Sequence, residues 1–233
     1  MTLQNQYIYE YPRPAVTTDC VIFGFDEGEL KVLLIERGIE PFLGKWALPG
    51  GFIDMNEDAE ACSRRILHKE TGLENIFMEQ LYTFTSVERD PRYRVISITY
   101  YALVKRSDYN AIAGLDTTTV RWFALSEVPE LAFDHKAILD TAKERLKGKI
   151  KYQPIGFELL PERFTMPELH RLYETILQEE LDRRNFRKKM LSFDILVDTG
   201  EVQRGAQNRA PKLYCFDKQK YDELTQKGFY FEL

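Results

Sequence analysis

The residues that most constrain the fold of this chain lie between Pro41 and Leu73. A Pro- and Gly-rich stretch, Pro41 to Gly51, leads through five residues to Glu57 and through seven more to Arg65. Leu67, Glu70, Gly72 and Leu73 follow. This pattern predicts a loop feeding a helix from about Glu57 to Glu70, which stops at Thr71-Gly72, where glycine suits the left-handed position beyond a helix end. Ahead of it, Asp19 to Leu34 reads as strand, turn, strand, with Asp26-Glu27-Gly28-Glu29 as the turn. Behind it, Gln80 to Thr85, Arg94 to Val104 and Val120 to Ala124 are rich in β-branched and aromatic residues and read as strands. Phe133 to Lys147 reads as a helix opened by Asp134. Residues 1–148 are therefore expected to form a mixed α/β domain.

Composition changes after Gly148. Lys149, Lys151, Pro154, Gly156 and Pro161 give residues 149–163 a linker-like character, although Phe157, Leu159 and Leu160 ask for a packing partner. Thr165-Met166-Pro167-Glu168 is a capping-box start, and Leu169, Leu172, Tyr173, Ile176 and Leu177 follow at helical spacing. A turn over Gln178 to Leu181 leads to Asp182, which is placed to cap a second helix, Arg183 to Leu191. The apolar runs Ile195 to Val197 and Leu213 to Phe216 flank a polar loop. Two helices joined by a short turn and followed by a hairpin predict a winged helix-turn-helix over residues 164–233.

Charge is distributed unevenly. The net charge is -5, from 32 Lys and Arg against 37 Asp and Glu, so no global positive field advertises nucleic acid. Between Arg183 and Lys212, however, eight basic residues meet three acidic ones, a local +5 that leaves -10 for the remainder. Arg183, Arg184, Asn185 and Arg187 fall at the start of the second helix, where side chains reach base edges in the major groove. Lys188, Lys189, Arg204 and Arg209 are better placed for phosphates. The bland reading is a solvated basic face; the helix-turn-helix spacing and the wing argue for double-stranded DNA. No apolar run approaches the roughly 18 residues that span a bilayer, and Met1 to Glu10 lacks the order of a signal peptide, so a cytoplasmic protein with no membrane contact is expected. Cys20, Cys62 and Cys215 form no CxxC pair and are expected to be buried or inert thiols.

The spacing from Gly51 to Leu73 matches seven of the nine specified positions of the pattern G-x5-E-x7-R-E-U-x-E-E-x-G-U, with U a bulky aliphatic. Together with Trp46-Ala47-Leu48-Pro49-Gly50-Gly51-Phe52 before it, this stretch resembles a Nudix box, and the resemblance covers residues 15–148. It implies helix carboxylates that hold divalent ions to activate water against a diphosphate. Both departures fall on those carboxylates, since Ile66 and Lys69 stand where glutamates are expected and leave Glu70. The box's Arg65 is expected to pair with Glu57. A lone carboxylate beside an ammonium is a poor Mg²⁺ site, so no catalytic residue, cofactor or metal is expected, with Glu57 and Glu70 the ligands if residual hydrolysis persists.

With Arg89-Asp90-Pro91-Arg92, Phe133-Asp134-His135 and Arg184 to Lys188, nearly the whole chain resembles the Nudix-related transcriptional regulators. The fold class implied is α+β, a Nudix-like mixed-sheet sandwich followed by a winged helix-turn-helix. The resemblance also implies a homodimer and a small-molecule effector, either ADP-ribose or a pentose. Trp46, Lys69, Arg89, Arg92 and Arg94 are the effector-binding candidates, with Phe52 and Tyr82 as further stacking surfaces. The alternatives are an active Nudix pyrophosphohydrolase with an accessory C-terminal domain, and a winged helix that binds protein.

Overall fold

A computed structural model of the chain describes residues 10–74, 76–105, 117–203 and 210–233. β1 (Ala15–Asp26) and β2 (Glu29–Arg37) form the expected hairpin, and β3 (Trp46–Ala47) and β4 (Gly50–Phe52) follow in the Gly-rich loop. α1 (Ala59–Thr71) is capped by the Asp58 carboxylate at one end and Gly72 at the other. Then come β5 (Glu79–Phe84), β6 (Val95–Lys105), β7 (Thr117–Ala124) and α2 (His135–Lys149). The sheet runs β3-β2-β1-β6-β5, with β4 on β1 and β7 on β2; β1 and β6 are parallel and the other pairs antiparallel. β1 is the spine because Val21 to Phe23 are fully buried, so its two faces are both covered.

The second unit opens with β8 (Phe164–Thr165) and α3 (Met166–Leu177). The Thr165 hydroxyl accepts the Glu168 N–H at 3.3 Å, while Glu168 Oε2 accepts the Thr165 N–H at 2.6 Å. α4 (Arg183–Ser192), β9 (Leu196–Val202), β10 (Lys212–Phe216) and α5 (Lys218–Gln226) complete it, with the small sheet ordered β8-β10-β9. Among the described residues no helix is long and apolar enough to cross a membrane.

The stretch read as a linker is partly packed into the interior. Lys149 ends α2, Ile155–Glu158 forms a 3₁₀ turn, and Phe157, Leu159 and Leu160 are buried. One continuous core joins Phe23 and Leu34 of the sheet to Ile138 of α2, Leu172 of α3, Phe186 of α4 and Phe231. Polar contacts reinforce it. Thr175 Oγ1 on α3 donates to Gly28 O in the β1–β2 turn at 3.3 Å, and Gly28, at φ +80°, leaves the space that the Arg171 guanidinium fills. The hairpin therefore reaches the helix-turn-helix at its turn, while its other end borders the cleft described next.

Candidate functional site: a metal-poor cleft and a basic helix

A cleft of about 300 Å³ opens between β1, β2, β4, α1 and the start of α2. Its floor is a buried polar cluster. Asp19 Oδ2 accepts from Ser97 Oγ at 2.5 Å and Arg89 Nη2 at 3.3 Å, and Oδ1 lies 3.4 Å from His135 Nε2. Leu48 N–H donates to His135 Nδ1 at 2.9 Å, so the ring proton sits on Nε2, facing Asp19. Burial alone would raise the Asp19 carboxyl; His135, Arg89 and Ser97 outweigh it and hold the pKa at about 2. Arg89 also grips Asp134, Nε to Oδ2 at 3.0 Å and Nη2 to Oδ1 at 2.8 Å. Arg89, predicted to meet an effector, reaches the cleft with its charge already matched.

The box keeps its scaffold, with Ile66 and Lys69 standing in place of two glutamates. Arg65 pairs with Glu57, Nε to Oε2 at 2.9 Å and Nη2 with Oε1, and Nη2 also donates to Phe52 O at 3.1 Å. Its hydrogen bonds with Arg65, aided by the Asp54 N–H, bring Glu57 down to about 2. The pair ties the loop to α1, as expected. Ile66 is buried, and its Cδ1 lies only 2.5 Å from where a Cβ on Gly51 would fall, so the aliphatic chain packs closely against the loop. Gly50 is needed for a similar reason, because a Cβ there would meet the Asp19 carboxylate at 2.1 Å.

Glu70 accepts the Gly50 N–H at 3.0 Å, and burial pushes its pKa up to about 7. Glu57 is thus committed to arginine, Glu70 is held toward its neutral form, and the described residues contain no metal-holding group of three or more His, Cys, Asp or Glu. A divalent ion needs several ionised oxygens at once.

The raised pKa of Glu70 has a measurable sign. Between its ordinary 4.5 and about 7 the folded chain holds a proton that the unfolded chain releases. This group's contribution is complete below pH 4.5 and is lost as pH rises to about 7. Glu70→Gln is therefore expected to gain on the order of 2–3 kcal/mol over the parent at pH 8 and almost nothing at pH 4. Denaturant melts at both pH values check this, and an equal effect at both would contradict it.

The remaining candidates divide. Lys69 and Arg92 line the cleft, as does Phe52. Arg92 forms a bidentate pair with Asp90, at 3.0 and 2.7 Å, and lies over Phe52, Tyr93 and Phe133. Trp46 does not reach the cleft, because it packs edge-on against Phe123. Arg94 does not either, since it turns to Ser86 O and Val95 O and fastens the strand entry. Tyr82 is exposed on β5 beside Phe84, also outside it. Sequence reasoning passed over Arg37, at the end of β2, although it lines the cleft with Phe133 and His135. Asp19 left a signal, as a carboxylate inside an apolar strand. Cys20 and Cys62 are buried free thiols, and Cys215 is free and half-buried.

The second site is α4. The Asp182 carboxylate caps it by accepting the Asn185 N–H at 2.8 Å. Phe186 and Met190 are buried, so Arg183, Arg184, Asn185, Arg187, Lys188 and Lys189 are exposed around the opposite faces. Arg187 Nη2 donates to Tyr214 Oη at 3.3 Å, which draws it toward the wing, and Lys189 lies over Phe193. The turn before α4 is clamped. His170 Nε2 meets Leu181 O at 2.8 Å while Glu174 Oε1 accepts the Leu181 N–H at 3.0 Å, which fixes α4 against α3. Arg204 and Arg209 lie outside the described residues.

Comparison with known proteins matches both halves. The NUDIX domain family matches residues 13–142 and the NrtR DNA-binding winged helix domain matches residues 156–216. An "ADPR responsive transcriptional repressor NtrR" of Acinetobacter baylyi is 35% identical over 217 residues, covering 91% of this chain and 86% of the relative. An "ADP-ribose pyrophosphatase" of Methanocaldococcus jannaschii is 40% identical over 129 residues, covering 55% of this chain and 73% of the relative. Shewanella oneidensis NrtR crystallised with a 27mer DNA superposes with a TM-score of 0.72 at 35% identity, over 86% of this chain and 93% of that one. The NUDIX domain of that protein complexed with ADP ribose gives 0.56 at 37% identity, over 62% and 96%. With a Nudix fold, an NrtR winged helix and these relatives over most of its length, the chain belongs to the NrtR family of Nudix-related transcriptional regulators.

Proposed function

We propose that this chain is a transcriptional repressor that binds operator DNA through α4 and the wing and responds to ADP-ribose held uncut in the Nudix cleft. The observation that carries the reading is Ile66, buried against Gly51 where a hydrolase needs a carboxylate, in a chain whose α4 turns six polar side chains outward. The names of the Acinetobacter repressor and of the Shewanella complexes favour ADP-ribose over a pentose as the effector. In this reading residues 1–148 sense and residues 164–233 read DNA in the cytoplasm. The chain acts as a homodimer, so that two α4 helices meet half-sites about one helical turn apart.

The Methanocaldococcus relative is the observation on the side of a second reading, pyrophosphohydrolase activity. The chemistry of the cleft opposes it, since Glu57 is bound to Arg65, Glu70 is raised toward neutrality, and no other carboxylate of α1 stands beside it. Incubation with ADP-ribose and Mg²⁺ separates the two. Release of AMP and ribose 5-phosphate is expected to be undetectable, and turnover on the order of 1 per second would establish the hydrolase instead.

A further inference from the structure

Among the described residues, Arg37 stands in the cleft without the ion pair that each of its neighbouring arginines makes. Arg89 has Asp134 and Asp19, Arg65 has Glu57, and Arg92 has Asp90. Arg37 has no carboxylate within ion-pair distance among the described residues; its Nε donates to Pro41 O at 2.8 Å and its Nη2 to Ile39 O at 3.4 Å. Those bonds use two of its five N–H groups. The guanidinium is half-buried, 4.9 Å from the centroid of the Phe133 ring, and Arg92 lies over the same ring at 5.8 Å. Burial first, and Arg92 second, press the Arg37 pKa downward.

Two like charges therefore share one aromatic platform, and that platform is itself held in an uncommon conformation. Phe133 has φ +54°, and its ring meets Phe42, at φ +68°, edge-on at 4.8 Å. Left-handed backbone at bulky residues persists only where the surroundings impose it, and such sites cluster at ligand clamps. An anion with two charged oxygen groups placed above Phe133 would relieve the Arg37–Arg92 repulsion and meet the unused N–H groups. A neutral pentose could accept some of those N–H groups but would leave the repulsion in place.

We propose that Arg37 is the residue through which the cleft selects a diphosphate-linked ligand, with Arg92 as its partner across Phe133. The proposal deepens the ADP-ribose reading and rests on it. Its test is calorimetry on the full chain in excess EDTA, with ADP-ribose, adenosine and inorganic pyrophosphate as probes and the variants Arg37→Gln, Arg37→Lys and, as a control outside the cleft, Arg94→Gln. Arg37→Gln is expected to weaken ADP-ribose about 10- to 100-fold and to flatten the salt dependence of its binding, because a screened charge pair has been removed. Arg37→Lys should recover part of the affinity and the full salt dependence, whereas lost loop packing would be recovered by neither change. Adenosine binding and Arg94→Gln should match the parent. ADP-ribose affinity in Arg37→Gln within about threefold of the parent, with an unchanged salt dependence, overturns the proposal. If the parent binds ADP-ribose and Arg37→Gln does not weaken it, the proposal alone fails; if the parent binds no ADP-ribose, the effector reading fails and the proposal with it.

Discussion

Asp19→Ala is expected to lower the stability of the folded chain by about 3–5 kcal/mol, among the largest effects of any single substitution in the cleft. The carboxylate is 5% exposed and gathers the Ser97 hydroxyl, the His135 Nε2–H and one Arg89 N–H. Each of these buried donors loses its acceptor, and an orphaned buried donor costs about 1–3 kcal/mol. Alanine also leaves a gap beside Gly50, whose missing Cβ makes room for that carboxylate. Urea denaturation at pH 7 measures the loss, and a change below about 1 kcal/mol would mean that the cluster is not what holds the cleft floor. The pH profile carries a second sign. Asp19 is depressed from 3.8 to about 2, so its contribution is complete above pH 3.8 and is lost as pH falls toward 2.

Substitutions on α4 are expected to fall into two classes. Arg184 and Asn185 are exposed on its first turn, so Arg184→Ala or Asn185→Ala should cost about 1–3 kcal/mol against cognate DNA, a loss of about 10- to 100-fold, and relax the base preference. Arg187 is drawn toward the wing by Tyr214, so its truncation should act on DNA binding and on the seating of the wing together. Lys188→Ala should weaken cognate and random duplexes alike and reduce the slope of log affinity against log salt by about one. Fluorescence anisotropy with both duplexes over a range of salt resolves the classes. Equal loss on cognate and random DNA in Asn185→Ala would remove that residue from base reading.

Local patterns were legible in the sequence where short-range physics decides the outcome. Thr165 and Glu168 form their capping box and Asp182 caps α4, since each depends on spacing along one helix, while the meeting of Arg65 with Glu57 was implied by the resemblance to a Nudix box. Membership of the cleft depends on which strands lie side by side, and that was not legible. Arg89, Arg92 and Arg94 are close in sequence, yet the first is buried against Asp134, the second faces the cleft and the third turns back to Ser86. Arg37 reads as an ordinary strand end until β2 is brought beside the start of α2. The stretch 149–163 has the Pro and Gly content of a linker, and Phe157, Leu159 and Leu160, which asked for a packing partner in the sequence, are buried. α5 escaped notice because it is short, polar and buries no residue, leaving no periodic signal.

The central claim is that one chain joins a non-cutting Nudix sensor to a DNA reader. Its most direct test is a titration of labelled duplex from the chain's own upstream region, with random duplex as competitor, in EDTA with and without ADP-ribose, followed by assay of the nucleotide recovered. Preferential binding to the upstream duplex, weakened severalfold or more by ADP-ribose that is recovered intact, is the predicted result. Equal affinity for upstream and random duplex, or specific binding that ADP-ribose leaves unchanged, would contradict it.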